Sequence, residues 1–261
     1  MLQASLEQAL ARRQKYITPG GALTHVSTYL GTNKMELLAQ GKTAQQAADA
    51  MAGQPMAYLV EQAPESVVDP HFHEVDQFQL FVGGAGRIGT HDLSGMVVHY
   101  AGAFSPYGPI AAGPQGVDYV TLRRDWDKGA QWMPGAAQVL RELRGRRHRA
   151  HTSAPLDLTA GDLTAGLFVT EIMNEQTHGA SARLCRAAGG LAMQADPAGT
   201  AGMFWYLLAG SVSAAQGAEQ GPRACLYFPS AQGSCPVQIG SAGAQFLELR
   251  FPVRQDSAPL A

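Results

Sequence analysis

The stretch DPHFHEVDQFQLFVGG, residues 69–84, decides how this chain is interpreted. Within it His71 and His73 stand two residues apart, Gln77 follows four residues later, and an apolar run ends at Gly84. Side chains at positions i and i+2 of a strand project from the same face. We therefore expect both imidazoles to point at one position, which the amide oxygen of Gln77 reaches from the start of the next strand.

These spacings resemble the first motif of the cupin family, roughly G-x5-H-x-H-x3-E-x6-G. His71, His73 and Gly84 stand in register with that pattern, whereas Gln77 stands at the glutamate position and Glu65 at the leading glycine. The resemblance implies one divalent metal ion held by His71, His73 and Gln77. Fe(II) is the first choice of metal, and Zn, Ni and Mn are the alternatives.

The second cupin motif is incomplete. The segment AGAFSPYGPIAAG supplies Pro106 and Gly108 of the family pattern, but Ala111 stands where the family has a histidine ligand. Two explanations stay open: the metal has three protein ligands and more water, or another residue substitutes. The nearest histidines are His99 and His91.

Other polar residues near the expected mouth of the barrel are candidates for substrate contact and proton transfer. Tyrosine can donate a hydrogen bond or a proton, and arginine can hold a carboxylate. The candidate acid/base residues are His99 and Tyr107. The candidate substrate-binding residues are Gln79, which shares a strand face with Gln77, and Tyr100, Tyr119 and Arg123.

The chain contains a weak internal repeat. The Asp-Pro pair at 69–70 precedes FQLFVGG, and a second Asp-Pro pair at 196–197 precedes MFWYLLAGS. Aligning the two copies puts Ala198, Thr200 and Met203 opposite the two histidines and the glutamine. We therefore expect the second copy to lack metal chemistry.

Short β-rich runs separated by Gly, Pro and Asp turns occupy two regions, as is typical of all-β sandwiches and barrels. The resemblance implies a bicupin, with two antiparallel, RmlC-like jelly-roll barrels. Apolar residues at helical spacing over residues 1–15 and 42–53 predict two short helices before the first strand, and AAQVLRELRG, residues 136–145, predicts a helix between the barrels. The expected division is a helical N-terminal extension over residues 1–55, a first barrel with the site over 56–130, a helical linker over 131–165 and a degenerate second barrel over 166–261.

Composition limits the expected class of protein, its partners and its location. Apolar residues make up 46 % of the 261, charged residues 15 %, and the formal net charge is −2, which predicts a packed globular protein without a nucleic-acid or membrane partner. Three cysteines without a CxxC pair indicate reduced thiols, and the N-terminus lacks the apolar segment of a signal peptide, so we expect a cytoplasmic location. The expected partners are a small-molecule substrate and a second copy in a homodimer.

Two functions follow from the same residues. The first is a metal-dependent cupin enzyme acting on a small oxygenated molecule, by dioxygenase chemistry or as a Lewis-acid isomerase, cyclase or lyase. The alternative is a metal-free module in which His71, His73 and Gln77 hydrogen-bond a sugar or organic acid. The missing histidine at Ala111 is the main support for the alternative.

Overall fold

The computed structural model describes residues 1–143, 148–159, 166–178, 180–214 and 217–253. The chain divides into two compact units. One consists of residues 7–158, and the other of residues 1–6 together with residues 159–261. We call them the first and the second unit.

Strands dominate both units, as predicted from the sequence. The strands are β1 (Leu2–Ala4), β2 (Arg13–Ile17), β3 (Leu23–Leu30), β4 (Met56–Gln62), β5 (Val67–Val68), β6 (His71–Phe72), β7 (Gln77–Ile88), β8 (His91–Ser94), β9 (Val97–Ala101), β10 (Ile110–Arg123), β11 (Gln131–Trp132), β12 (Ala150–Thr152), β13 (Leu167–Met173), β14 (Ser181–Ala187), β15 (Ala192–Ala195), β16 (Gly202–Ala214), β17 (Cys225–Phe228) and β18 (Cys235–Phe251). The all-β prediction is confirmed.

The helices are short. They are α1 (Leu6–Leu10), α2 (Lys34–Ala39), α3 (Ala44–Met51), α4 (Ala137–Glu142) and α5 (Glu175–His178). Helix α3 begins with a capping box, in which the side chains of Thr43 and Gln46 each accept the other's backbone N–H. Among the described residues, no helix has the length and hydrophobicity needed to cross a bilayer.

The main sheet of the first unit is antiparallel, with strand order β12-β9-β7-β10-β4-β3-β2. The long strands β7 and β10 lie at its centre, and β8 and β5 add to their far ends. A separate pair, β6 with β11, carries His71 opposite Trp132. The functional candidates therefore lie on adjacent strands and on the loops that connect them.

The N-terminal segment differs from the prediction of two helices before the first strand. Strand β1 precedes α1, and β2 and β3 form a hairpin on the edge of the first sheet. The turn Thr18–Gly21 explains this, because Thr18 and Ala22 close it with a backbone hydrogen bond of 2.9 Å. The β-rich run LTHVSTYL that follows favours a strand over a helix. Helix α3 lies where the second helix was expected.

Helix α4 matches the predicted inter-barrel helix, whose last residues, 144–145, lie outside the described part of the chain.

The second unit has strand order β1-β17-β16-β18-β14-β13, with β15 paired to β18. Its core is packed with large apolar side chains. Trp205 stacks on Phe246 at a centroid distance of 4.2 Å and meets Phe228 at 5.0 Å, and Met203 is fully buried beside them. Apolar packing thus fills the interior, in agreement with the loss of the metal residues in the repeat. Cys185, Cys225 and Cys235 are buried in this unit and unpaired, as predicted.

Each unit contains a glycine with positive φ at a point where two neighbouring strands approach closely. In the first, Gly84 of β7 has φ 69°, and a Cβ added there would collide with the carbonyl oxygen of Gly116 on β10. In the second, Gly210 of β16 has φ 68°, and a Cβ would collide with the oxygen of Gly243 on β18. The separation of Gly84 and Gly210 along the chain equals that of the two Asp-Pro pairs to within one residue, which supports the internal repeat.

Gly84→Ala is expected to destabilise the first unit by more than about 2 kcal/mol, because the left-handed φ and the collision with Gly116 act together. Gly95→Ala is the matched control. Gly95 has φ 75°, but a Cβ there meets nothing within 4 Å, so the cost should be only about 1 kcal/mol. Urea unfolding of both variants measures the difference. Equal costs would contradict the steric role of the close approach.

Candidate functional site

The structure brings His71, His73 and Gln77 together. His71 lies in β6, His73 is the first residue after β6, and Gln77 is the first residue of β7. The two imidazole centroids are 5.3 Å apart, and the three residues are at most 7 % exposed. The intervening Phe72 is fully buried and contacts Phe104, as the alternation along a strand requires.

A chain of hydrogen bonds starts at the backbone beside this cluster. The Nδ1 of His71 lies 2.7 Å from the carbonyl oxygen of Asp69, which only accepts, so Nδ1 carries the proton and Nε2 is an acceptor. The hydroxyl of Tyr107 lies 2.8 Å from that Nε2 and donates to it. The same hydroxyl accepts from the amide nitrogen of Gln77 at 2.6 Å.

Arg123, the last residue of β10, continues the chain. Its Nε and Nη2 donate to Oε1 of Gln77 at 3.1 and 2.8 Å, and Nη2 also donates to Nε2 of His73 at 3.0 Å. The Nδ1 of His73 then donates to the carboxylate of Asp127 at 2.8 Å. The backbone N–H of Gly129 also donates to this carboxylate. Each donor in the chain meets an acceptor, so the orientation of every group is fixed.

Burial and neighbouring charges favour the same protonation states. Burial lowers the pKa of His71 to about 3, with His73 adding to the effect. Burial and the charge of Arg123 lower the pKa of His73, although Asp127 opposes them. Burial alone would raise the pKa of Asp127, but His73 and Arg123 outweigh it and bring it to about 2. The site therefore contains neutral imidazoles between a cationic guanidinium and an anionic carboxylate.

This donor set does not fit a divalent metal ion as it is arranged. The three expected ligand atoms, Nε2 of His71, Nε2 of His73 and Oε1 of Gln77, all accept hydrogen bonds from Tyr107 or Arg123. A metal at their meeting point would face the guanidinium at close range, a repulsion on the order of several kcal/mol. Among the described residues, no group of three or more His, Cys, Asp or Glu side chains could hold a metal ion.

The other residues considered as a fourth ligand do not complete the set. Ala111 lies in β10 opposite Val67 and Arg87 and has no donor atom. His91 is exposed at the start of β8. His99 is buried, and its Nδ1 bonds Thr152 Oγ1 at 2.9 Å. The group that reaches His71 and Gln77 is instead the phenol of Tyr107.

The second unit has an arginine at the corresponding position. Arg250 lies opposite Met203 in the register of β16 and β18, and Met203 aligns with Gln77 in the repeat. The guanidinium of Arg250 donates to the carbonyl oxygens of Asp196 and Ala198 at 2.9 Å, and Ala198 aligns with His71. Both units thus place an arginine beside the segment that corresponds to the first motif.

A cavity of about 370 Å³ opens beside Arg123 in the first unit. A row of polar residues crosses the sheet beneath it, one on each of six neighbouring strands. In strand order the row consists of Thr28, Tyr58, Thr121, Gln79, His99 and Thr152. Tyr58, Thr121 and Gln79 line the cavity itself. The next row is mostly apolar, and there Val60 and Tyr119 form the floor.

Two atoms in this polar row have no hydrogen-bond partner among the described residues. They are Oε1 of Gln79 and Nε2 of His99, which lie on directly opposed residues of β7 and β9. Both residues are only 3 % exposed. Buried polar atoms without a partner are rare in folded proteins and costly, so this pair requires an explanation.

The structure places most of the candidate substrate residues around the cavity, but not Tyr100. Gln79, Tyr119 and Arg123 line it, as does Tyr107, which was assigned as an acid/base candidate. Tyr100 follows His99 on β9 and faces the opposite side of the sheet, where its ring packs against Phe78. Because side chains alternate along a strand, residues 99 and 100 cannot both face the interior of the barrel. The assignment of both residues to the site from the sequence overlooked this.

Sequence reasoning missed three residues of the site. Asp127 follows β10 in a loop, Tyr58 lies on β4, and Trp132 packs its ring 4.9 Å from that of His71. The spacing of Arg123 and Asp127, four residues apart in a run of charges, was the available signal for the carboxylate. Tyr58 and Trp132 are brought to the site by strand pairing alone, which no local pattern shows.

Solved structures with the same fold include two oxalate decarboxylases and a coconut protein. The oxalate decarboxylase of Lactobacillus farciminis, solved as a formate complex, has a TM-score of 0.57 and 14 % identity, covering 97 % of this chain and 87 % of that one. The Bacillus subtilis enzyme has a TM-score of 0.55 and 12 % identity, covering 97 % and 76 %. The coconut allergen cocosin has a TM-score of 0.56 and 12 % identity, covering 93 % and 86 %.

No protein-family model and no curated protein sequence matches the chain. At the identities of the structural neighbours the likeness shows the fold alone. The chain has the cupin fold, as the resemblance of the first motif implies.

Proposed function

We propose that the first unit binds a small organic acid in the cavity beside Arg123, without a metal ion between His71, His73 and Gln77. One observation carries the proposal. The guanidinium of Arg123 donates to the two atoms, Nε2 of His73 and Oε1 of Gln77, that a metal would need as ligands. The guanidinium of Arg123 therefore occupies the atoms that a divalent metal ion would bind.

The geometry of Arg123 leaves part of it for a ligand. Nε and Nη2 are engaged by Gln77 and His73, whereas Nη1 lies 4.0 Å from Oδ2 of Asp127, beyond hydrogen-bond distance. The ring of Tyr58 lies beside the guanidinium, 5.5 Å from Cζ. A carboxylate entering the cavity can therefore form charge-assisted hydrogen bonds with Nη1.

The charge of the cavity lining also favours an anion. Three cationic side chains, Lys15, Lys34 and Arg123, line it, against the one carboxylate of Asp127. Burial disfavours the charge of Arg123, but Tyr58 and Asp127 outweigh that effect and raise its pKa, so it stays protonated. Cationic groups converging on a cavity with low-dielectric walls attract anions.

The structural neighbours are compatible with a small acid. Two are named oxalate decarboxylases, and one of these is a formate complex. Their low identity to this chain supports only the idea that a barrel of this fold accommodates such a ligand.

A metal-dependent enzyme is the second candidate, and the convergence of His71, His73 and Gln77 favours it. In that case Arg123 would withdraw when the metal binds, and the Fe(II), Zn, Ni or Mn assignment and dioxygenase-type chemistry would apply. The candidate acid/base residues, His99 and Tyr107, belong to this hypothesis. The cytoplasmic location and the homodimer also stay predictions.

Elemental analysis separates the two candidates. The full chain, purified without a histidine tag and dialysed after exposure to Fe(II), Zn, Ni and Mn in turn, is expected to retain less than roughly 0.1 divalent ion per chain, because Arg123 occupies the ligand atoms.

Arg123→Met provides the control, since it frees His73 and Gln77 while keeping a side chain of similar length. A higher metal content in this variant than in the wild type would support the exclusion of metal by Arg123. Close to one ion per wild-type chain would overturn the metal-free proposal and establish the second candidate.

A further inference from the structure

We infer that the ligand of the first unit is an amphipathic acid, whose carboxylate meets Arg123 and whose apolar tail runs along the sheet to Val26, Val60 and Tyr119. The inference rests on the function proposed above and specifies the ligand class. Its basis is the layout of the cavity, in which an apolar stretch of lining lies beyond the buried cation.

The direction of the cavity follows from strand geometry. Arg123, Thr121 and Tyr119 all line it from one face of β10, because side chains two residues apart share a face. The guanidinium of Arg123 bonds Gln77, the first residue of β7, and so stays at the level where β10 ends. Four residues of strand separate this level from Tyr119, a distance of roughly 13 Å.

The lining at the level of Tyr119 is apolar. Tyr119 pairs with Val60, and Val60 pairs with Val26, so the three residues lie side by side across β10, β4 and β3. All three line the cavity and belong to one apolar cluster, in which Val26 and Trp132 are only partly buried. An apolar ligand tail at this level removes from water a surface that the protein itself leaves exposed.

The distance from Arg123 determines which acids reach the apolar lining. An extended chain advances roughly 1.2 Å per bond. Butanoate with its carboxylate at Arg123 therefore ends near the level of Thr121, within the polar row. Octanoate extends to the level of Val26 and Val60.

Isothermal titration of the full chain with butanoate, hexanoate and octanoate tests the inference. The affinity is expected to rise at each step, by about tenfold or more from butanoate to octanoate, because each buried CH₂ group adds to binding. Equal affinity for the three acids would overturn the inference and leave the organic-acid site standing. Failure of the wild type to bind any of them would overturn the proposed function with it.

Octanedioate is the matched probe for the character of the tail. It has the length of octanoate and a second carboxylate at the far end. The wild type is expected to bind it about tenfold or more weakly than octanoate, because a charge beside Val26 and Val60 loses its hydration. Equal or tighter binding of octanedioate would overturn the apolar tail in favour of a second anionic contact, for which the exposed Lys15 is the available cation.

Val26→Phe tests where the tail lies. The larger side chain extends into the cavity, so the affinity for octanoate should fall about tenfold or more while that for butanoate stays unchanged. His25→Phe is the matched control, since His25 precedes Val26 on β3, is also half-buried and does not line the cavity. Octanoate binding that is unchanged in Val26→Phe, or weakened equally by both substitutions, would overturn the placement of the tail.

Discussion

Arg123→Met is expected to weaken the binding of a small organic acid such as hexanoate by at least about 30-fold. Arg123 is the only buried cation lining the cavity among the described residues, and losing a buried charge-assisted contact costs about 2 kcal/mol or more. Titration calorimetry on the folded variant measures the loss. Retention of wild-type affinity for the acid would contradict the arginine-centred site.

The same substitution is expected to lower the free energy of unfolding by about 3 to 5 kcal/mol, since the buried carboxylate of Asp127 loses its neighbouring guanidinium. The double variant Arg123→Met with Asp127→Asn controls for this effect. Without a buried charge it should recover most of the stability and still fail to bind the acids. A stable double variant that binds normally would show that the arginine serves the fold alone.

Acidification from pH 6.5 to 4 is expected to remove on the order of 3 kcal/mol of stability through His99 alone. Burial lowers the pKa of His99 to about 3, and the nearby His91, His151 and His148 add to the effect. Between pH 3 and 6.5 the unfolded chain binds a proton at this residue and the folded chain does not. Stability therefore falls as the pH drops through this window.

Two other groups act in the same direction. His71, with its pKa lowered to about 3, follows the same rule as His99. Asp127 has a folded pKa of about 2, below its ordinary value, so the stability it provides is present above about pH 4 and is lost as the pH falls toward 2.

Urea unfolding at half-unit steps between pH 7 and 4 measures this dependence. His99→Gln should lower the slope by about 1.4 kcal/mol per pH unit, whereas Gln79→Met, in the same polar row, should change stability without changing the slope. A wild-type stability that is constant over this range would show that His99 is not a buried neutral imidazole.

The sequence contains the information for the fold but only part of that for the site. The period of two in the strands, the turn residues and the repeated Asp-Pro pairs are local signals, and they predicted the two β-rich units. Helical spacing over residues 1–15 predicted only α1 correctly, because the turn at Thr18 and Gly21 and the pairing of β2 with β3 outweigh a weak helical preference in the residues after it.

The site was harder to predict, because its chemistry depends on pairing between distant strands. The convergence of His71, His73 and Gln77 was expected, but their hydrogen-bond partners were not. Arg123 was assigned to substrate, and nothing local indicated that register would place its guanidinium against Gln77. The orientation of Tyr100 could not be predicted for the same reason, since strand pairing places its neighbour His99 on the face that lines the barrel interior.

The arginine in each unit bears on the ancestry of the chain. Arg123 is the last residue of β10 and Arg250 the last but one of β18, and each guanidinium bonds the segment that follows an Asp-Pro pair. The simplest history is a single ancestral barrel that already carried this arginine before it was duplicated and fused. On that history the arginine predates the divergence of the two halves, and the polar cluster around Arg123 was kept or rebuilt in one copy only.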